Sequence, residues 1–303
     1  MAPPMSAQAF LDALVAEGLT VVQVGDWRDH NRNHKGPFGP VHGVMIHHTV
    51  TKGSQTTVDI CRKGYTGLPG PLCHGVITKD GRVHLVGYGR ANHAGLGDDD
   101  VLRAVIAERS LPTDNEANTD GNRHFYGFEC ENLGDGEDPW PDVQLEAIER
   151  AAAAVCRHHG WNERSVIGHR EWQPGKVDPR GFSMGDMRGR IGERLGGTTP
   201  APPLPTPKRP VVDLSQLRAA ARSNPPAKGQ PVTYTGVRTV EAALVDEGLL
   251  AKQYSDGHYG TTTVAAYSAW QRHLGYRGND ADGIPGKTSL TQLGRRHGFD
   301  VKD

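Results

Sequence analysis

The chain has 303 residues, 36 % hydrophobic and 23 % charged, with 39 glycines and 21 prolines, which suits one large domain or two ordinary ones joined by long loops. A formal net charge of -1 and a mean hydropathy of -0.55 argue against a basic nucleic-acid binder. No apolar run approaches the roughly 20 residues that a membrane-spanning helix requires.

Ser6 is positioned to cap a helix over about residues 7–17, which Gly18 ends. Asp12 and Glu17 break its apolar stretch and no basic segment precedes it. It therefore reads as an amphipathic helix and not a signal peptide, with cytoplasmic synthesis as the expectation. Residues 19–24 read as a strand, and residues 41–50 as a second strand carrying His47 and His48 at its end. A short helix follows over residues 54–63, with Ser54 as its cap. Residues 75–86 form a hairpin pattern with Asp80 and Gly81 in the turn. Residues 95–124 are polar and rich in Gly, Asp and Asn, and read as a long surface loop. Residues 125–130 read as a short central strand. Residues 142–159 read as a helix with Val143, Ile148, Ala151, Ala152 and Val155 on one face. Residues 165–167 read as another strand, which delivers His169. Strands and helices in this order predict an α/β or α+β domain ending near residue 195.

From residue 196 to 231 proline density rises, as in an extended, semi-rigid spacer that a helical piece over residues 214–222 interrupts. Residues 232–303 carry an internal repeat. Asp256-Gly257 and Asp282-Gly283 each lead into a helix that Thr263 or Thr288 can cap. A unit of this size suits binding better than independent catalysis, and Tyr267 and Trp270 suit its core better than a sugar platform. The four cysteines form no CxxC pair. Cys61 and Cys73 flank a Gly/Pro-rich loop and can bridge, worth ~3 kcal/mol by loop closure; cytosolic synthesis favours reduced thiols.

One constellation carries chemistry. His47 or His48, then His169, then Asp178 offer two imidazoles and a carboxylate, the ligand set of a catalytic zinc with one position left open. Lys176 stands two residues before Asp178, within reach of a developing oxyanion. Together they suggest metal-assisted hydrolysis of an amide.

Five stretches run in order over about residues 40–180: Met45-Ile46-His47-His48-Thr49, the run from Cys73 to Gly81, Asn92-His93-Ala94-Gly95, Phe128-Glu129-Cys130-Glu131, and Gly168-His169 to Asp178. As a set they resemble the type 2 N-acetylmuramoyl-L-alanine amidases, which share a fold with peptidoglycan recognition proteins. The resemblance implies an α/β fold, a mixed central sheet flanked by helices, with a small, mainly helical C-terminal domain. It implies one zinc ion on His47, His169 and Asp178. His48 is the alternative to His47, because only one of two strand neighbours can face the metal. It implies Glu129 as general base and proton shuttle, with Glu131 as runner-up, Lys176 as oxyanion donor, and His93 as a groove residue that contacts glycan or peptide. Cys73 stands where some relatives have a catalytic tyrosine, and Asp178 where some have cysteine.

The C-terminal repeat resembles peptidoglycan-binding modules. The expected division is a catalytic domain over 1–195, a Pro-rich linker over 196–231 and a wall-binding domain over 232–303. That architecture looks like a bacteriophage endolysin. It would be made in the host cytoplasm and act on the wall after release, as a monomer whose partner is bacterial peptidoglycan and neither nucleic acid nor membrane. The competing readings are a recognition protein that binds without cutting, a bacterial autolysin, and a metal-free hydrolase using Cys73 or Cys130. A Cys73–His74 dyad is geometrically poor, since strand neighbours point to opposite faces.

Overall fold

The computed structural model describes residues 2–197, 209–223, 232 and 234–303. Contacts divide the chain into two compact units, residues 1–52 with 56–206 and residues 53–55 with 207–303.

The first unit opens with α1 (Ala7–Ala16), which Ser6 caps by accepting from Ala9 N at 3.1 Å. Such a cap stabilises a helix by ~1 kcal/mol. Next come β1 (Val21–Gln23), β2 (Gly43–His48), α2 (Ser54–Lys63), the small hairpin β3 (Gly64–Tyr65) and β4 (Leu68–Pro69), and the hairpin β5 (Gly75–Ile77) and β6 (Val83–Leu85). The chain continues through β7 (Leu96–Gly97), α3 (Asp99–Ile106), β8 (Thr119–Asp120), β9 (Phe125–Cys130), α4 (Asp142–His159), β10 (Val166–Gly168) and α5 (Met184–Gly196).

Six strands form one sheet in the order β1-β6-β5-β9-β2-β10. All its pairings are parallel except β5 with β6. Every residue of β2 is buried, as expected of a central parallel strand covered on both faces. Val44 and Ile46 pack into the core under α1, α4 and α5, whereas Met45 packs with Phe125, Ile167 and Trp172 on the opposite face. The side-chain period of two then turns His47 to Met45's side and His48 to the side of α4. Helix α4 ends at Gly160, whose φ of 70° is the left-handed conformation glycine adopts without strain.

The expected surface loop over 95–124 holds a helix, α3. Asp98 caps it through Asp100 N at 2.7 Å and Val101 N at 3.4 Å, and also accepts from Asn115 N and Glu116 N. Three buried apolar residues, Val101, Leu102 and Val105, suffice to dock it. Their signal is swamped by the surrounding polar sequence.

Several histidines of this unit are buried neutral. His74 is fully buried between β5 and β9, donating Nε2–H to Gly89 O at 2.8 Å and accepting from Gly127 N at 2.9 Å. Burial depresses it from the ordinary 6.5 to about 4, against the pull of these two backbone bonds. Burial likewise depresses His84, whose Nε2 is buried without a partner, to about 4. A histidine depressed in the folded state gives stability that is complete above pH 6.5 and is lost as pH falls toward 4, because the unfolded chain binds the proton more readily. For His74 alone the loss amounts to about 3 kcal/mol. The denaturant midpoint of the first unit should therefore drop steeply between pH 6.5 and 4.5. A midpoint flat across that window would remove the buried neutral histidines from the account.

The second unit begins inside the segment expected to be linker. Residues 198–208 and 224–231 of that segment lie outside the described residues. However, β11 (Val211–Asp213) and α6 (Leu214–Ser223) belong to the second core. Val212, Leu214, Leu217 and Ala221 are buried there, and this short apolar pattern is hidden in sequence by the prolines around it. Helices α7 (Gly236–Asp246), α8 (Thr261–His273) and α9 (Lys287–His297) follow, and then β12 (Asp300–Lys302), which pairs in parallel with β11.

The repeat of the sequence is a repeated turn. Gly257 N donates to Glu241 Oε2 of α7 at 2.7 Å, and Gly283 N donates to Gln271 Oε1 of α8 at 2.7 Å. Thr263 does not cap α8; it is buried in the first turn and donates to Glu241 Oε1 at 2.9 Å. Tyr267 and Trp270 are fully buried in the core.

Candidate active site

Three adjacent parallel strands, β9, β2 and β10, end at one place, the carboxyl edge where α/β sheets carry their ligand sites. The register sets His47 of β2 directly beside Glu129 of β9 and pairs Gly168 of β10 with Ile46, so His169 emerges next to His47. A 3-10 turn over His169–Glu171 and the loop to Asp178 close the group, with Arg170 N donating to Asp178 O at 2.7 Å. His47 Nδ1 lies 3.1 Å from His169 Nδ1 and 2.9 Å from Asp178 Oδ2, and His169 Nδ1 lies 3.1 Å from the same oxygen. Among the described residues, these form the one group of three possible ligands close enough to hold a metal ion.

The tautomers follow from the neighbours. His93 Nε2 faces Phe125 O at 3.1 Å and must carry its proton, so His93 Nδ1 accepts from His47 Nε2–H at 3.1 Å. Similarly, His169 Nε2 donates to Gln173 Oε1 at 3.2 Å. In the neutral rings both Nδ1 atoms are then left with lone pairs, aimed together at a carboxylate. Glu129 adds Oε1 at 4.0 Å from His47 Nδ1, while its Oε2 is buried without a partner. Three lone pairs about 3 Å apart beside an orphaned carboxylate oxygen lack a positive charge between them. Two imidazoles and a carboxylate are the donors zinc takes, so the residues present fit that ion.

The local fields agree. Burial depresses His47 to about 4, opposed by the Asp178 carboxylate facing it, so the ring is held neutral as a ligand must be. Burial alone would raise Asp178, but the His169 and His47 rings that face its carboxylate outweigh it and hold the carboxyl well below its usual range. Burial, with Cys61 and Asp178 nearby, pushes Glu129 well above the ordinary carboxylate value.

The cleft over this group has a volume of about 510 Å3, and Lys176 is exposed in its lining. His48 also borders it but joins no ligand group. Its Nδ1 accepts from Arg180 N at 3.0 Å, two residues beyond Asp178, and Gly134 leaves room for its ring. His93 borders the cleft as well, with its Nδ1 on His47 Nε2 and its Nε2 on Phe125 O. Asn122 Oδ1 accepts from His93 N and Ala94 N, and Trp172 Nε1 donates to Ala94 O; these buried residues brace the same loop. Glu131 is buried elsewhere and accepts from Lys79 N at 3.2 Å. Cys73 and Cys130 are fully buried outside the cleft lining, and burial raises both thiols, which disfavours a thiolate nucleophile. A larger cleft of about 860 Å3 lies elsewhere in this unit. Its lining balances Arg109, Arg164 and Arg170 against Asp114, Glu163 and Glu193, and it gathers no reactive group.

Residues 37–181 match the family described as N-acetylmuramoyl-L-alanine amidase. No curated protein matches the chain. Among solved structures, the chain is similar to the endolysin N-acetylmuramoyl-L-alanine amidase LysCS from Clostridium intestinale URNW (16 % identity, 57 % of this chain and 95 % of that one, TM-score 0.38). It is also similar to the Ph2119 endolysin from a Thermus scotoductus bacteriophage (17 % identity, 57 % and 99 % covered, TM-score 0.37). A third similar structure is Drosophila peptidoglycan recognition protein SD (13 % identity, 54 % and 89 % covered, TM-score 0.36).

Proposed function

We propose that this chain, whose residues 37–181 match the N-acetylmuramoyl-L-alanine amidase family, is a zinc-dependent hydrolase of the amide between MurNAc and L-Ala in bacterial peptidoglycan, acting as an endolysin. The observation that carries the reading is the convergence of His47, His169 and Asp178 within hydrogen-bond distance of one another, beside Glu129.

His47 and His169, through Nδ1, and Asp178 would hold the ion. When bound, zinc supplies Lewis acidity, making water acidic enough to act near neutral pH and polarising a carbonyl. The protein's own groups do the rest. Glu129, half-buried beside His47, takes a proton from water and returns it to the leaving amine nitrogen. Lys176 offers its ammonium to the oxygen of the tetrahedral intermediate, and its loss would cost roughly 3 kcal/mol of transition-state stabilisation. His93 orients His47, and Asn122 and Trp172 brace the loop that carries His93. Mass spectrometry of digested peptidoglycan tests the reading. Stem peptides beginning at L-Ala should appear with zinc, vanish with a chelator and return on zinc add-back. Cleavage that survives the chelator would remove the metal, and binding without any release would leave only recognition.

The second unit, on this reading, is a wall-binding module that keeps the catalytic unit near an insoluble substrate. Removing residues 207–303 should weaken lysis of whole walls at least tenfold more than turnover of a soluble muropeptide. Equal losses on both substrates would sink the tethering role.

A further inference from the structure

The catalytic cleft has an apolar wall that the chemistry above does not use. Val50, Leu68 and Val177 are 66 %, 45 % and 61 % exposed, and all three line it. They come from three separate segments: the turn after β2, strand β4, and the loop between Lys176 and Asp178. None of the exposed large hydrophobics lines the arginine-bordered larger cleft. Concentrating water-exposed aliphatic side chains around one reactive group is costly unless something covers them. Val50 adds a second cost. Its φ of 52° is left-handed, an outlier for a β-branched residue that glycine would adopt freely. Strain of this kind persists where the surroundings hold it, and here it presents an isopropyl group to the cleft.

We propose that Val50, Leu68 and Val177 form an apolar subsite for the small aliphatic substituents flanking the scissile amide, and so set selectivity for them. The inference rests on the amidase reading. Val177 stands between the proposed oxyanion donor and a proposed metal ligand. All three line one cleft, so a carbonyl that reaches Lys176 lies in the space that Val177 borders. Two methyl groups flank the scissile amide, the side chain of the first stem residue and the methyl of the lactyl ether.

The test uses the full-length protein and three soluble substrates: MurNAc-L-Ala-peptide, its analogue with Gly in place of L-Ala, and its analogue with a glycolyl in place of the lactyl group. The protein should prefer the methyl-bearing parent over at least one analogue by roughly tenfold in kcat/KM, the usual worth of a methyl in an apolar pocket. The analogue that suffers identifies which methyl the subsite holds. In Val50→Gly, and in Leu68→Ser with Val177→Ser, that preference should fall to about twofold or less, with the loss on the parent appearing in KM. Val50→Gly should also unfold at a temperature no lower than the parent protein, since it relieves the left-handed strain; a merely structural valine would lower it. Equal cleavage of all three substrates, or a preference that survives the substitutions, would overturn the subsite and leave the amidase reading intact. Failure to cut the parent substrate at all would instead overturn the amidase reading.

Discussion

Glu129→Gln should lower kcat by 10²–10⁴-fold while the protein still binds one equivalent of zinc, the range expected when a positioned general base is removed. The amide is nearly isosteric, so the pairing of β9 with β2 and the position beside His47 are kept. What is lost is the ability to take a proton, and Glu131, turned to the backbone of Lys79, is badly sited to substitute. Turnover on a soluble muropeptide, measured with metal content on the same sample, separates loss of chemistry from loss of the ion. A variant that keeps more than a tenth of the parent kcat with full metal would take the proton-transfer role away from Glu129.

His93→Ala should weaken zinc binding by about 10–100-fold, the usual effect of deleting a group that orients a ligating histidine. The carbonyl of Phe125 sets the tautomer of His93, and His93 in turn keeps the His47 proton on Nε2. Without it, His47 can carry its proton on Nδ1 and cease to be a ligand. Gly127→Ala should act by the same route, because a Cβ there would lie 2.5 Å from His93 Nδ1. Competition with a chromogenic chelator reads the affinity directly. Unchanged affinity in a folded His93→Ala protein, together with a raised KM, would return His93 to the substrate-contacting role that the sequence motif suggests.

The parts of this protein legible in its sequence are those with local signals. The strand over residues 43–48 is written in one apolar run, the hairpin at Asp80-Gly81 in its turn chemistry, and the α4 helix in its period and its terminal glycine. The candidate ligand residues are legible through family motifs. What the sequence hides depends on contacts distant along the chain. The register that sets Glu129 beside His47 joins positions 82 residues apart, and His93 reaches the ligand group only through tertiary folding. Which of His47 and His48 faces His169 and Asp178 depends on which face of β2 meets α4, and His47 is the one grouped with them. Helix α3 escapes notice because it docks on only three apolar side chains within polar surroundings, and the helical piece at 214–222, legible as a helix, does not show in sequence that it joins the second core, because prolines surround it.

The parallel pairing of β11 with β12 has an engineering consequence. It sets the first and last strands of the second unit side by side, Val211 against Asp300 and Asp213 against Lys302, and so ties the two ends of the unit into one small sheet, as a clasp closes a bracelet. Domains of this kind can be lifted out as cassettes, recircularised and reopened at another loop, or spliced into a host scaffold with little disturbance. A graft of the second unit onto another protein would keep its core whole only if β11 and α6 travel with the later helices and β12.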